Sequence, residues 1–182
     1  LTFITGDNGT GKSTLIEAIA VGMGFNPEGG TRNFQFSTRE THSSLYQALT
    51  LAKGVRRCRD GFFFRAESFY NVASEIENIA AEDSRMLTGY GGVSLHKMSH
   101  GESYLTLLRS RLSGHGFYIF DEPESALSPT GQFAMLAIMN DLIQEDSQLV
   151  IAPHSPILLG RRDAAHGAPR DAALAVEGTC RV

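Results

Sequence analysis

Gly6-Asp7-Asn8-Gly9-Thr10-Gly11-Lys12-Ser13, followed by Thr14, is the stretch that decides the reading of this 182-residue chain. It is a complete G-x-x-x-x-G-K-[ST] loop. Leu1 to Thr5 ahead of it reads as a strand. Leu15, Ile16, Ile19 and Met23 behind it recur at helical spacing. Strand, glycine loop and helix together make a phosphate cradle. The glycines let backbone N–H groups turn inward, and the new helix points its positive end at the same place. In such a loop Lys12 reaches the β- and γ-phosphates of a nucleotide, and the Ser13 hydroxyl is placed for Mg²⁺.

The chain outside the loop reads as one α/β layered domain. Phe117-Tyr118-Ile119-Phe120 and Gln148-Leu149-Val150-Ile151-Ala152 are short apolar runs of the kind buried in a parallel sheet. Helices are expected at about 69–81 (Val72, Ile76, Ile79), after Gly101 (Leu105, Leu108, Leu112) and at about 129–144 (Phe133, Leu136, Ala137, Asn140, Ile143). Alternating strands and helices predict a mainly parallel central sheet. Leu45 to Ala52 and Phe62 to Ala66 read as a small antiparallel pair around a turn at 54–61. Asn26-Pro27-Glu28-Gly29-Gly30 is an evident turn, and 86–98 a glycine-containing loop. The domain is expected to span 1–159. Residues 160–182, rich in Ala, Arg and Gly, form an irregular tail. The chain opens directly on a strand, so further strands are expected upstream.

Bulk properties exclude some roles. Hydrophobic content of 42% and charged content of 20% are those of a water-soluble globular domain. A net charge of −4 argues against whole-surface attraction to nucleic acid or anionic lipid. Arg56, Arg57 and Arg59, and Arg161 and Arg162, read as solvated loops or as local basic patches. Cys58 and Cys180 have no metal or redox spacing, which fits a reducing, cytoplasmic setting. No apolar run approaches the roughly 20 residues of a membrane span.

Two further motifs bear on the loop. The 117–120 strand runs into Asp121-Glu122. An apolar strand delivering an acid at its C-terminal end completes a phosphate-loop site. Asp121 is placed to hold Mg²⁺ with Ser13. Glu122 is placed to orient or deprotonate the attacking water. By itself the pair is also an ordinary acidic turn. Ser99-His100-Gly101-Glu102 precedes a helix and reads locally as a cap. It stands about twenty residues before Asp121, where one class of nucleotide hydrolases carries a second phosphate-contacting element.

Taken in order, Gly6 to Thr14, Ser99 to Glu102, Phe117 to Glu122, Ser125-Ala126-Leu127-Ser128 and His154 resemble the nucleotide-binding domain of ATP-binding-cassette ATPases. Ser99 to Glu102 is similar to the cassette signature, with Met98, His100 and Glu102 where Leu, Gly and Gln are usual. Ser125 to Ser128 resembles the D-loop, with Ser128 in place of Asp. His154 resembles the switch histidine. A finer resemblance, to bacterial AAA-type cassette-like ATPases related to SMC and RecF heads, is carried by Gly24 to Gly30, Phe64 to Phe69 and His154 to Leu158. It covers roughly residues 1–160.

The resemblance implies the fold of a P-loop NTPase and Mg²⁺-dependent ATP hydrolysis by in-line transfer to water. It implies ATP on Gly6, Asp7, Asn8, Gly9, Thr10, Gly11, Lys12, Ser13 and Thr14, with Lys12, Glu122 and His154 catalytic. His154 is expected to contact the γ-phosphate or hold Glu122. Ser99 and Gly101 are expected to contact ATP bound to a second copy, giving an ATP-sandwiched homodimer. Three departures stand out. Pro153 replaces the residue that usually precedes the histidine. No clear Q-loop glutamine occurs; Glu67 sits about where one is expected and is a candidate metal contact, with Gln35 a lesser substitute. The tail does not resemble the expected closing strands. Two other readings stay open, an ATP-binding subunit of a membrane transporter and a low-turnover nucleotide switch. A DNA or protein partner is left open too.

Overall fold

The computed structural model describes residues 1–32, 43–54, 56–82, 98–160 and 180–181. In chain order the elements are β1 (Thr2–Phe3), α1 (Lys12–Gly22), a 3-10 turn at Ser44–Ala48, β2 (Arg56–Arg57), β3 (Asp60–Arg65), a 3-10 turn at Ala66–Ser68, α2 (Phe69–Glu82), α3 (His100–Arg111), β4 (Gly116–Asp121), a 3-10 turn at Pro123–Ala126, α4 (Pro129–Gln144), β5 (Gln148–Ala152), α5 (Pro156–Leu159) and β6 (Cys180–Arg181).

β1, β5, β4 and β3 lie side by side in that order, and every neighbouring pair is parallel. β4 is buried along its whole length, as its unbroken apolar run requires. Alternation along the strands divides the core in two. Phe62, Phe64, Tyr118, Phe120, Leu149 and Ile151 face the layer made by α2, α3 and α4. Phe63, Phe117, Ile119, Val150 and Ala152 face Ile16, Ile19 and Ala20 of α1. Each Phe, Leu, Ile or Val among them removed from water contributes about 1.5–3 kcal/mol. Aromatic stacking adds order: the Phe64 and Phe120 rings lie 5.1 Å apart at 8°.

The register aligns strand ends. Arg65 lies beside Asp121, and Asp121 beside Ala152. The loops that follow β1, β3, β4 and β5 therefore emerge along one edge of the sheet. That edge is where open parallel sheets bind ligands.

The fold corrects four expectations. First, the antiparallel pair does not form. Residues 44–48 make a 3-10 turn, capped by Ser43 through a 3.2 Å bond from the Leu45 N–H. The 62–66 run belongs to β3, which pairs in parallel with β4. Phe62, Phe63 and Phe64 are all buried, on both faces of the sheet. Three consecutive buried rings mark a strand covered on both faces, and a half-exposed hairpin would alternate. Antiparallel pairing among the described residues is limited to the bridge from Gly30 to Phe63.

Second, α4 has the expected span, but Phe133, one of the residues whose spacing marked it, does not face the core. Gly131, Met135, Met139 and Leu142 are buried, and Phe133 is 62% exposed. Third, β1 is shorter than Leu1 to Thr5, although the Ile4 N–H still bonds Ile151 O at 2.8 Å. Fourth, the tail is not wholly irregular, since Cys180–Arg181 pairs in parallel with Arg56–Arg57. Cys58 is disulfide-bonded, which the cysteine spacing did not signal. The expected 86–98 loop lies outside the described residues except Met98, as do Gln35, Arg161 and Arg162.

Candidate active site

The phosphate loop begins where β1 ends. Thr10 closes it on Asp7: its hydroxyl donates to Asp7 O at 2.8 Å and its N–H at 3.3 Å. Gly11 stands ahead of the first residue of α1 with φ 85°, a left-handed conformation that a side chain would strain. No side chain caps α1, and its first turn holds no acid. Its first N–H groups and the positive end of its dipole thus stay available to an anion. Lys12 is buried to 7% exposure, and its ammonium donates to Gly6 O and Asp7 O, each at 2.8 Å. The lysine is folded across the loop it would serve.

β4 delivers the acids. Asp121 is 4% exposed, and its Oδ1 has no hydrogen-bond partner among the described residues. Burial pushes the Asp121 carboxyl up to about 6, against the lowering effects of Arg65 and of a hydrogen bond with Ser13. Glu122 follows in a left-handed conformation (φ 47°, ψ 50°), rare for a residue with a side chain. It is held there from both sides. Its N–H donates to Ala152 O at 3.0 Å, and its carbonyl accepts from the Ser125 hydroxyl at 2.8 Å. The twist leaves the Glu122 carboxylate 3.0 Å from His154 Nε2.

Asn8, Gly9, Gly11, Lys12, Ser13, Thr14, Glu122 and His154 line one open cleft of about 450 Å³. The structure thus brings loop residues from 8 to 14 together with two of the three expected catalytic groups and the third, Lys12. Gly6, Asp7 and Thr10 shape the loop behind them. Asp121 stands beneath the cleft, tied to Ser13.

Three other expected residues lie apart from that lining. The Glu67 side chain is 83% exposed and sits 3.9 Å from Arg65 Nε, in the 3-10 turn that directly follows β3. Ser99 caps α3: its hydroxyl donates to Glu102 Oε2 at 2.6 Å, its own N–H donates to the same oxygen at 3.1 Å, and the Glu102 N–H returns a bond to Ser99 Oγ at 3.4 Å. These bonds hold the Glu102 carboxyl below the usual range. Gly101 lies against the 123–126 turn, where an added Cβ would stand 3.1 Å from Ala126 O. His100 packs edge-on against Phe69 at 5.3 Å.

Two functional-looking residues were not singled out from sequence. Arg65 pairs with Glu17 of α1 at 2.6 Å and approaches Asp121 at 3.6 Å. Glu124 accepts from the backbone N–H groups of His154 and Ser155. Both lie inside stretches that carried motifs, at Phe64 to Phe69 and just after Glu122. Acids and bases flanking a motif were the signal available.

The chain resembles known proteins in the same sense. The family model described as an AAA domain matches residues 1–85. The cytochrome c biogenesis ATP-binding export protein CcmA of Aliivibrio fischeri is 28% identical over 86% of this chain and 79% of its own length. The energy-coupling factor transporter ATP-binding protein EcfA1 of Fusobacterium nucleatum is 27% identical, over 84% of this chain and 62% of its own. The L-cystine transport system ATP-binding protein TcyN of Escherichia coli is 27% identical, over 83% and 68%. No solved structure matches the chain. The open, uncapped loop of α1, the buried acid at the end of β4 and these relatives agree: the chain carries an ATPase domain that is similar to those of ATP-binding-cassette proteins.

Proposed function

We propose that residues 1–159 act as a Mg²⁺-dependent ATPase unit whose site is completed by a second copy of the chain. The observation that carries this is the Glu122–His154 contact of 3.0 Å at the mouth of the phosphate-loop cleft. Glu122 is placed to orient a water for in-line attack on the γ-phosphate, and His154 to fix that carboxylate. Lys12, released from Gly6 O and Asp7 O, exchanges two carbonyls for phosphate oxygens. The N-terminus of α1 holds the rest of the phosphate chain.

Ser13 and Asp121 fit a hard divalent cation: both offer oxygen, and Asp121 Oδ1 is buried without a partner among the described residues. Bound Mg²⁺ would neutralise phosphate charge. Glu67, exposed and set apart from the cleft lining, fits at most an outer contact.

Ser99 and Gly101 stand outside the lining of their own chain's cleft, which supports a role toward ATP held by another copy. ATP would then join two copies across a two-fold axis, and hydrolysis would release them. Phosphate release from ATP and Mg²⁺, measured over a wide range of protein concentration, tests this. Specific activity is expected to rise with concentration. Flat activity in a chain that scatters as a monomer with saturating ATP overturns the shared site.

A second reading, an ATP-binding subunit that energises a membrane transporter, is favoured by the names of the relatives. Among the described residues no helix is long and apolar enough to cross a membrane, so in that reading the membrane-spanning part lies outside them. A cytoplasmic location is the expectation under both readings, and the disulfide of Cys58 counts against it.

A further inference from the structure

Glu122 and His154 come from different loops, and both side chains are partly exposed, at 41% and 34%. An exposed pair of this kind does not hold its own geometry, because its attraction is weak in water. Something else must place the backbone of residue 154. Pro153 has no N–H to offer. The next two N–H groups, of His154 and Ser155, both donate to one atom, Glu124 Oε1, the second at 2.7 Å. Charged acceptors make the stronger hydrogen bonds. Ser155 is tied a second time, its hydroxyl donating to Gln132 Oε1 of α4 at 2.5 Å.

Glu124 lies on the Pro123–Ala126 turn, two residues after Glu122. The same turn carries the Ala126 carbonyl against which Gly101 packs. One four-residue turn therefore touches the start of α3, follows the water-orienting acid and grips the histidine loop. Glu124 Oε2 and the Tyr104 hydroxyl of α3 are both buried without hydrogen-bond partners among the described residues.

We propose that Glu124 is a positioning residue for hydrolysis: its carboxylate sets the backbone of His154 and Ser155 so that the His154 ring meets Glu122. Its turn links the start of α3 to that pair. The kinetic half of this inference rests on the ATPase reading; the structural half does not.

The test compares wild-type chain with Glu124→Ala and Glu124→Gln. Hydrogen exchange at the amides of residues 154 and 155 is expected to be about tenfold faster in Glu124→Ala, with residues 6–14 unchanged. The kcat for ATP should fall about tenfold or more, because a small misplacement of a catalytic group is costly. KM should move less than about twofold. Glu124→Gln, which keeps an acceptor oxygen, should restore most of both. Where Glu124→Ala fails to fold, Glu124→Asp carries the same test, since its shorter chain falls short of both N–H groups. Unchanged exchange at residues 154 and 155 in a folded variant overturns the proposal. So does a loss confined to KM, or a Gln variant as impaired as Ala. A wild-type chain without ATP turnover would overturn the function above, while exchange would still decide Glu124.

Discussion

His154 Nε2 lies 3.0 Å from Glu122 Oε1, and neither side chain is more than half exposed. The contact joins a residue after β4 to one after β5, across the top of two adjacent parallel strands. Its value is in placement. Polar contacts this exposed contribute at most about 1 kcal/mol to stability.

Glu122→Gln and His154→Ala are therefore expected to melt within about 2 °C of wild type. Both should lose about a hundredfold or more in turnover, the usual cost of removing a positioned acid–base group. ATP binding should survive, since Lys12 and the N-terminus of α1 are untouched. Glu122→Gln should also accumulate as an ATP-bound dimer, visible by light scattering. A monomeric Glu122→Gln chain with ATP bound would refute the sandwich.

Arg65 offers the opposite balance, structure before chemistry. Its NH1 group is 2.6 Å from Glu17, and its Nε is 3.6 Å from Asp121. Both carboxylates are largely buried, so removing the cation leaves two charges without compensation. Arg65→Met should destabilise by about 3 kcal/mol, read from urea unfolding. Arg65→Met combined with Glu17→Met should recover part of that loss, because an apolar pair replaces a buried ionic one at little net cost. A double variant as unstable as the single one would show that Asp121, and not Glu17, is the partner that needs Arg65.

These contacts separate what sequence discloses from what it does not. The loop from Gly6 to Thr14 and the strand ending in Asp121 are local patterns, and each stands where it was expected. The 129–144 helix was legible in extent and only partly in orientation. Phe133, Met135, Leu136, Ile138, Met139, Leu142 and Ile143 make α4 apolar around much of its circumference. Several stripes fit such a helix, and the sheet beneath selects Met135 and Met139. The antiparallel pair failed for a related reason: strand identity was readable in Phe62 to Phe64, but partner choice depends on β4, more than fifty residues away. Arg65 meets Glu17 across 48 residues, and Glu124 meets His154 across 30. No periodicity reports such pairings.

Tyr104 is fully buried with its hydroxyl lacking a partner among the described residues. Burial first, then the charges of Glu124 and Asp121, hold its proton far more tightly than an ordinary phenol does. A buried hydroxyl without a bond costs stability. Tyr104→Phe keeps the ring contacts with Phe64 and Phe69 and removes that cost. The variant should gain about 1 kcal/mol, or about 2–4 °C in melting temperature. A loss of stability would mean that the hydroxyl is bonded in solution. Higher stability with lower turnover would mark it as a group retained for function.

Asp121 gives a prediction in pH. In the protein free of nucleotide and cation, burial raises its carboxyl from an ordinary 3.8 to about 6. The folded state therefore favours the protonated acid. That advantage is fully present below about pH 4 and is lost as pH rises through about 6. Above that, the ionised Asp121 costs the fold about 2–3 kcal/mol. Asp121→Asn cannot ionise, so it should be the more stable protein at pH 8 by roughly 1–3 kcal/mol. The difference should vanish near pH 4. Denaturant unfolding of both proteins at the two pH values reads this directly, and a pH-independent difference would refute the buried-charge account. Mg²⁺ with ATP should reverse the ranking at pH 8, because a cation at Ser13 and Asp121 favours the charged form that only the wild type can supply. An equal rise in melting temperature for both proteins would remove Asp121 from the cation site.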